Sequence, residues 1–93
     1  MNYVIRPGVT VTKICGINFL LSTREASEHC PLIGRPGIFE LMCWEGVSKG
    51  KTKEELCSIT ERAFKRTPEQ AKKIIGNAFG SLTEKGYLIE ERE

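Results

Sequence analysis

At 93 residues, 40% hydrophobic and 28% charged, the chain holds material for one small globular core and has neither a disordered nor a membrane-embedded composition. Its longest apolar run, Ile17 to Leu21, is interrupted by Asn18 and falls far short of the roughly 20 residues of a membrane-spanning helix. A net charge of +2 is too small to imply a nucleic-acid partner by itself, and the start, Met-Asn-Tyr-Val-Ile-Arg, lacks the charged-then-apolar layout of a signal peptide, so a cytoplasmic location is expected.

Arg6-Pro7-Gly8 is a turn signal ahead of a first strand, Val9–Cys15, in which Val9 and Val11 share one face and Thr10 and Thr12 the other. Gly16 permits a tight reversal into a second strand, Ile17–Ser22, rich in residues that favour pleated backbone. Residues 23–27 read as a polar connection, and Cys30–Ile33 as a short third strand. Pro31 cannot donate to a ladder, which confines that strand to an edge or bulge and leaves one side of it open.

Three helices are expected at about 36–46, 53–66 and 68–85. Pro36 suits the first turn of the first helix, Ile38, Leu41, Met42 and Glu45 fall on one stripe, Phe39 and Trp44 widen the apolar surface, and Gly46 is expected to close it. Thr52-Lys-Glu-Glu55 is a capping box, in which the threonine oxygen accepts from an orphan amide and the glutamate accepts from the threonine N–H. The helix it starts carries Leu56, Ile59, Ala63 and Phe64 at core spacing. Thr67-Pro-Glu-Gln70 repeats the device, and Ala71, Ile75, Ala78 and Leu82 form the stripe of the third helix. Gly86 sits past its end as a cap, and Tyr87–Ile89 packs back before a charged tail.

Strands first, at about 9–33, and helices last give an α+β domain spanning residues 1–93: a three-stranded antiparallel sheet followed by three helices, winged-helix-like. Such a layout leaves a free sheet edge beside the final helix, where an extended peptide can add as a strand.

The inventory for catalysis is thin. His29 is the single histidine, and adjacent strand residues point to opposite faces, so it cannot pair with Cys30. There is no phosphate-cradling glycine motif, and Cys15, Cys30, Cys43 and Cys57 are each more than ten residues from the next, without a C-x-x-C pair for zinc or redox chemistry. The cysteines are expected to be buried small hydrophobes, with a Cys15–Cys30 bridge as the sharper alternative. No enzymatic activity, metal or cofactor is expected. Gly76 and Gly80 lie four apart on one helix face outside the apolar stripe, each costing roughly 1 kcal/mol against alanine. That cost calls for an offset: either close packing on the sheet or first helix, or a groove floor flanked by Lys72 and Phe79. Trp44 reads as a core residue or as an anchor for a partner protein.

Several segments together resemble the PqqD-like family, the RiPP recognition elements that bind leader peptides. They are Arg6-Pro7-Gly8-Val9, Gly16 to Leu20-Leu21, Pro31-Leu32, Ile38-Phe39-Glu40-Leu41, Gly50 to Leu56, and Leu82 to Leu88. The resemblance implies a three-stranded sheet followed by three helices, with the leader segment of a ribosomally made precursor peptide adding to the third strand against the third helix. It implies an adaptor that presents the peptide to a modifying enzyme such as a radical SAM maturase. Carried onto this chain, the peptide-binding residues are Cys30, Leu32, Ile33, Lys72, Lys73, Ile75, Gly76 and Phe79, the two lysines suiting an acidic leader. The chain departs from the family pattern at Ile33-Gly34, where asparagine is frequent, and in a longer Trp44–Lys51 segment.

Two other readings stay open. Thr52–Glu84 also reads as a helix-turn-helix of a winged-helix DNA-binding regulator, with Lys65, Arg66, Lys72 and Lys73 for phosphates but only Gln70 and Asn77 to read bases, and with no wing after the last helix. A protein-docking subunit without a peptide ligand would use Trp44 and the basic loop after it. The chain is expected to be a monomer or an edge-paired dimer.

Overall fold

The computed structural model describes residues 2–91, which form an α+β fold: a three-stranded antiparallel sheet, three helices and a second, two-stranded sheet. Strands β2 (Val9–Ile14) and β3 (Ile17–Ser22) pair from Val9↔Ser22 to Ile14↔Ile17. That register leaves a two-residue turn, Cys15-Gly16, with φ of 51° and 78°. Two left-handed residues in succession match the twist of the flanking strands, and only the second is a glycine. Cys15 is therefore exposed at a hairpin tip rather than buried, and all four cysteines are free thiols, so there is no Cys15–Cys30 bridge.

The third strand of this sheet lies later in the chain than Cys30–Ile33. The segment after β3 winds through a short 3-10 turn at Ala26–Glu28, where Thr23 Oγ1 accepts from the Ala26 N–H at 3.3 Å. Cys30 then points into the core, its sulfur 3.0 Å from Ser22 Oγ and 3.2 Å from the Ala26 carbonyl oxygen. Strand β4 is only Ile33–Gly34, antiparallel to β3 with Leu20↔Gly34 and Leu21↔Ile33 in register. Pro31 and Pro36 bracket it, and neither can donate to a ladder.

Helices α1 (Ile38–Ser48), α2 (Lys53–Ala63) and α3 (Pro68–Glu84) come next. Both expected capping boxes are in place, with Thr52 Oγ1 accepting from the Glu55 N–H at 3.1 Å and Thr67 Oγ1 from the Gln70 N–H at 3.2 Å. Gly46 does not end α1. It is buried, and a Cβ there would lie 2.6 Å from Leu56 Cδ2, so the glycine lets α2 approach. The stripe expected on α1 is also displaced, because Cys43, Trp44 and Gly46 form its buried side while Ile38 is 66% exposed.

The chain does not finish on its last helix. Gly86 (φ 88°) turns it into β5 (Leu88–Glu91), which pairs antiparallel with β1 (Asn2–Ile5), Ile5↔Leu88 through Asn2↔Glu91. After α3, then, one strand returns to the start of the chain. The Arg6 N–H donates to the Tyr87 carbonyl at 3.1 Å and its guanidinium to the Gly86 carbonyl, tying the two segments together. Leu20, Leu56, Ile75, Phe79, Leu82 and Leu88 are fully buried between these layers. Each such side chain contributes roughly 1.5–3 kcal/mol over its exposed state.

Candidate functional site

The open edge of β4 is set by hydrogen-bond alternation. Thr23 N–H donates to the Gly8 carbonyl, and Ser22 N–H donates to the Leu32 carbonyl at 3.0 Å. Successive residues of β3 thus serve β2 and β4 in turn, so Leu20 and Ser22 face β4 while Leu21 does not. Ile33, opposite Leu21, sits at a non-bonded position, and its N–H and C=O point away from β3 to the free side of the sheet.

Around that edge, Leu32 (62% exposed), Ile33 (55%) and Ile38 lie in the open. Single exposed apolar residues need no explanation, but three large ones within seven positions, beside a sheet edge, mark a surface suited to another chain. A groove of about 310 Å³ lies between the start of α1 and one flank of α3, lined by Gly37, Phe39 and Glu40 opposite Ile74, Asn77 and Ser81, and begins three residues beyond β4 in the chain. Phe39 is held from behind by Phe64, ring centroids 4.9 Å apart.

Glu40 fastens the groove. Its Oε1 accepts from the Gly37 N–H at 3.1 Å, and its Oε2 accepts from Ser81 Oγ at 3.0 Å and pairs with Lys85 Nζ at 3.3 Å. Partial burial works to raise the carboxyl pKa, but these hydrogen bonds and the lysine charge outweigh it and hold the group below its ordinary value. Beneath β4 lies Tyr87. Its hydroxyl is buried with no hydrogen-bond partner among the described residues, and a Cβ on Gly34 would overlap it. Burial, then the neighbouring Cys30 and Glu40, push that phenol's pKa up.

The residues expected to bind a peptide do not all meet here. Leu32 and Ile33 are at the edge, and Lys73 is exposed one turn before Asn77. Cys30 (6% exposed), Ile75 (0%) and Phe79 (2%) are interior, and they support the site from below rather than touch its surface. Lys72 and Gly76 share a flank with Phe79, which stacks on Tyr3 of β1 and so faces away from the groove. Nothing lies within 4 Å of where a Cβ would stand on Gly76 or Gly80, so close packing does not account for either glycine. The groove and its rim also hold Ile38, Phe39, Ile74, Asn77 and Ser81, which the sequence reading did not assign to a peptide site. The signal for the last three was their spacing, along the edge of the buried stripe opposite to Gly76.

Trp44 is buried, its indole N–H without a partner among the described residues. Burial, and then the proximity of Cys57, push the Cys43 thiol up to about 12. Among the described residues, no three of His, Cys, Asp and Glu converge as metal ligands, and no helix is long and apolar enough to cross a membrane.

No family model matches the chain, and no curated protein matches it. A solved structure described as "Lasso peptide synthetase B1 complexed with the leader peptide" shares its fold, with a TM-score of 0.79 over 97% of this chain and 100% of that one. The two are 14% identical in sequence.

Proposed function

We propose that the chain is a PqqD-like, non-catalytic adaptor of residues 1–93 that binds the leader segment of a ribosomally made precursor peptide and presents it to a modifying enzyme. The observation that carries this reading is the outward-facing backbone of Ile33, set among exposed Leu32, Ile33 and Ile38, with the α1–α3 groove starting at Gly37 close after it in the chain. Main-chain bonds to Ile33 would supply affinity that tolerates sequence change, and side chains alternating off the added strand would enter the groove for selectivity. The fold shared with a protein solved in complex with a leader peptide supports the same reading.

On this reading the binding surface is Leu32, Ile33, Ile38, Phe39, Ile74, Asn77 and Ser81, with Lys73 at the rim favouring an acidic leader and speeding its encounter. Cys30, Ile75 and Phe79 hold the strand and helix in place. The recipient enzyme would be a maturase, a radical SAM enzyme by family resemblance, and the adaptor itself uses no cofactor. Calorimetry with the leader segments of precursor peptides encoded beside the gene tests it. Micromolar or tighter binding, lost on Ile38→Asp with the fold intact, is expected. Duplex DNA that binds with a steep salt dependence while every leader is ignored would overturn it.

A further inference from the structure

The other flank of α3 borders a second depression. Tyr3 and Phe79 form its floor, with ring centroids 4.6 Å apart and planes inclined by 45°. The Lys53 ammonium stands 5.6 Å from the Tyr3 ring centre and 5.5 Å from that of Phe79, within the range of cation–π attraction. Val47, Gly50 and Lys51 build the walls of a cleft of about 400 Å³, larger than the groove beside β4.

Its charge is one-sided. Lys49, Lys51 and Lys53 fall within five residues and are all exposed, and none is paired with a carboxylate among the described residues. Of the nearby acids, Glu55 is committed to the Thr52 N–H at 3.2 Å, leaving Glu54 as the acid on the lining. Lys51 and Lys53 lie on the lining and Lys49 is two residues away in the chain; three cations so close in sequence repel one another, and none has an ion-pair partner among the described residues. A negatively charged chain relieves that repulsion, and the partly exposed Tyr3 ring, backed by buried Phe79, offers apolar contact to a side chain between its acids.

We propose that this cleft docks an acidic segment of a protein partner while the β4 groove is occupied. Ile74, Asn77 and Ser81 of α3 face the groove and Phe79 faces the cleft, so the two sites lie on opposite flanks of one helix and do not compete. Simultaneous use rests on the peptide-binding role proposed above; the preference of the cleft for an acidic chain does not.

The test is a titration of the ¹⁵N-labelled chain with a short peptide of glutamates around one phenylalanine, with the lysine counterpart as control. Saturable shifts at Tyr3, Val47 and Gly50–Glu54 are expected, with affinity falling about tenfold in Lys49→Glu/Lys51→Glu and unchanged in Lys65→Glu/Arg66→Glu. Both pairs are exposed, and an unchanged spectrum away from the substitutions shows that the fold is kept. Shifts spread over all lysines and arginines, or an affinity indifferent to Lys49→Glu/Lys51→Glu, would overturn the proposal. Shifts at Lys73 and Asn77 instead would also overturn it, while leaving the peptide-adaptor role standing. Saturable cleft binding combined with the failure of every leader segment to shift Ile33–Ile38 would support the cleft's preference and remove both the adaptor role and simultaneous use.

Discussion

The Tyr87 hydroxyl lies directly beneath Gly34, in the space that a Cβ at that position would fill. Strand β4 is thus seated on a phenol, and its two residues keep their place because the second has no side chain. The contact joins the segment after α3 to the strand whose open edge carries the proposed binding surface. Gly34→Ala is expected to cost about 1–3 kcal/mol through overpacking. Tyr87→Phe removes a buried hydroxyl that has no partner among the described residues and should be neutral or slightly stabilising. The double variant should recover part of the loss, a coupling that chemical denaturation of the four proteins measures.

Ile33 separates strand addition from side-chain docking. Its N–H points away from β3, so Ile33→Pro removes no bond from the sheet. Because no ladder bond is lost, thermal stability should change far less than leader affinity, which should drop at least tenfold as the donor to the added strand disappears. An apolar substitution such as Ile33→Val should leave affinity nearly intact.

Gly76 and Gly80 face open space inside α3. Replacing each with alanine should stabilise the protein by about 0.5–1 kcal/mol, since the added Cβ meets nothing and the unfolded chain loses freedom. Gly76 lies off the groove flank, so Gly76→Ala should leave leader binding unchanged, which a paired melting and calorimetry experiment checks.

Glu40 makes stability acid-sensitive. Its folded pKa lies below the ordinary 4.5, so the folded state holds the proton less tightly than the unfolded chain does. The contribution is complete above the unfolded value and is lost as pH falls below about 4.5 through the folded value. Glu40→Gln should flatten that part of the stability–pH profile, keep an acceptor for the Gly37 N–H, and cost about 1–2 kcal/mol at neutral pH.

Local chemistry made the helices legible. The Thr52 and Thr67 boxes each close within four residues, and both are found where the spacing placed them. The β2–β3 hairpin was equally plain, because Gly16 and the alternation around it act at short range. The β1–β5 ladder was not, since a four-residue run at one end finds its partner at the other, and nothing near Asn2–Ile5 announces it. Strand β4 shifted for a similar reason, as Cys30 is drawn inward by Ser22 and Ala26 and Tyr87, distant in sequence, fills the space beneath Gly34. The site was half legible. Leu32 and Ile33 follow from Pro31 and an edge, but the flank of α3 that meets the groove depends on where α1 and β1 dock. That placed Ile74, Asn77 and Ser81 at the surface, and Phe79 under Tyr3.

The most direct measurement is a ¹⁵N–¹H titration of the chain with leader segments of neighbouring precursor peptides, followed by amide exchange on the complex. Strand addition at β4 should shift Ile33–Ile38 and Ile74–Ser81 together and slow exchange of the Ile33 N–H, which has no sheet partner in the free protein. Binding that shifts those residues but leaves the Ile33 amide exchanging freely, or that maps to the outer edge of β2, would contradict it.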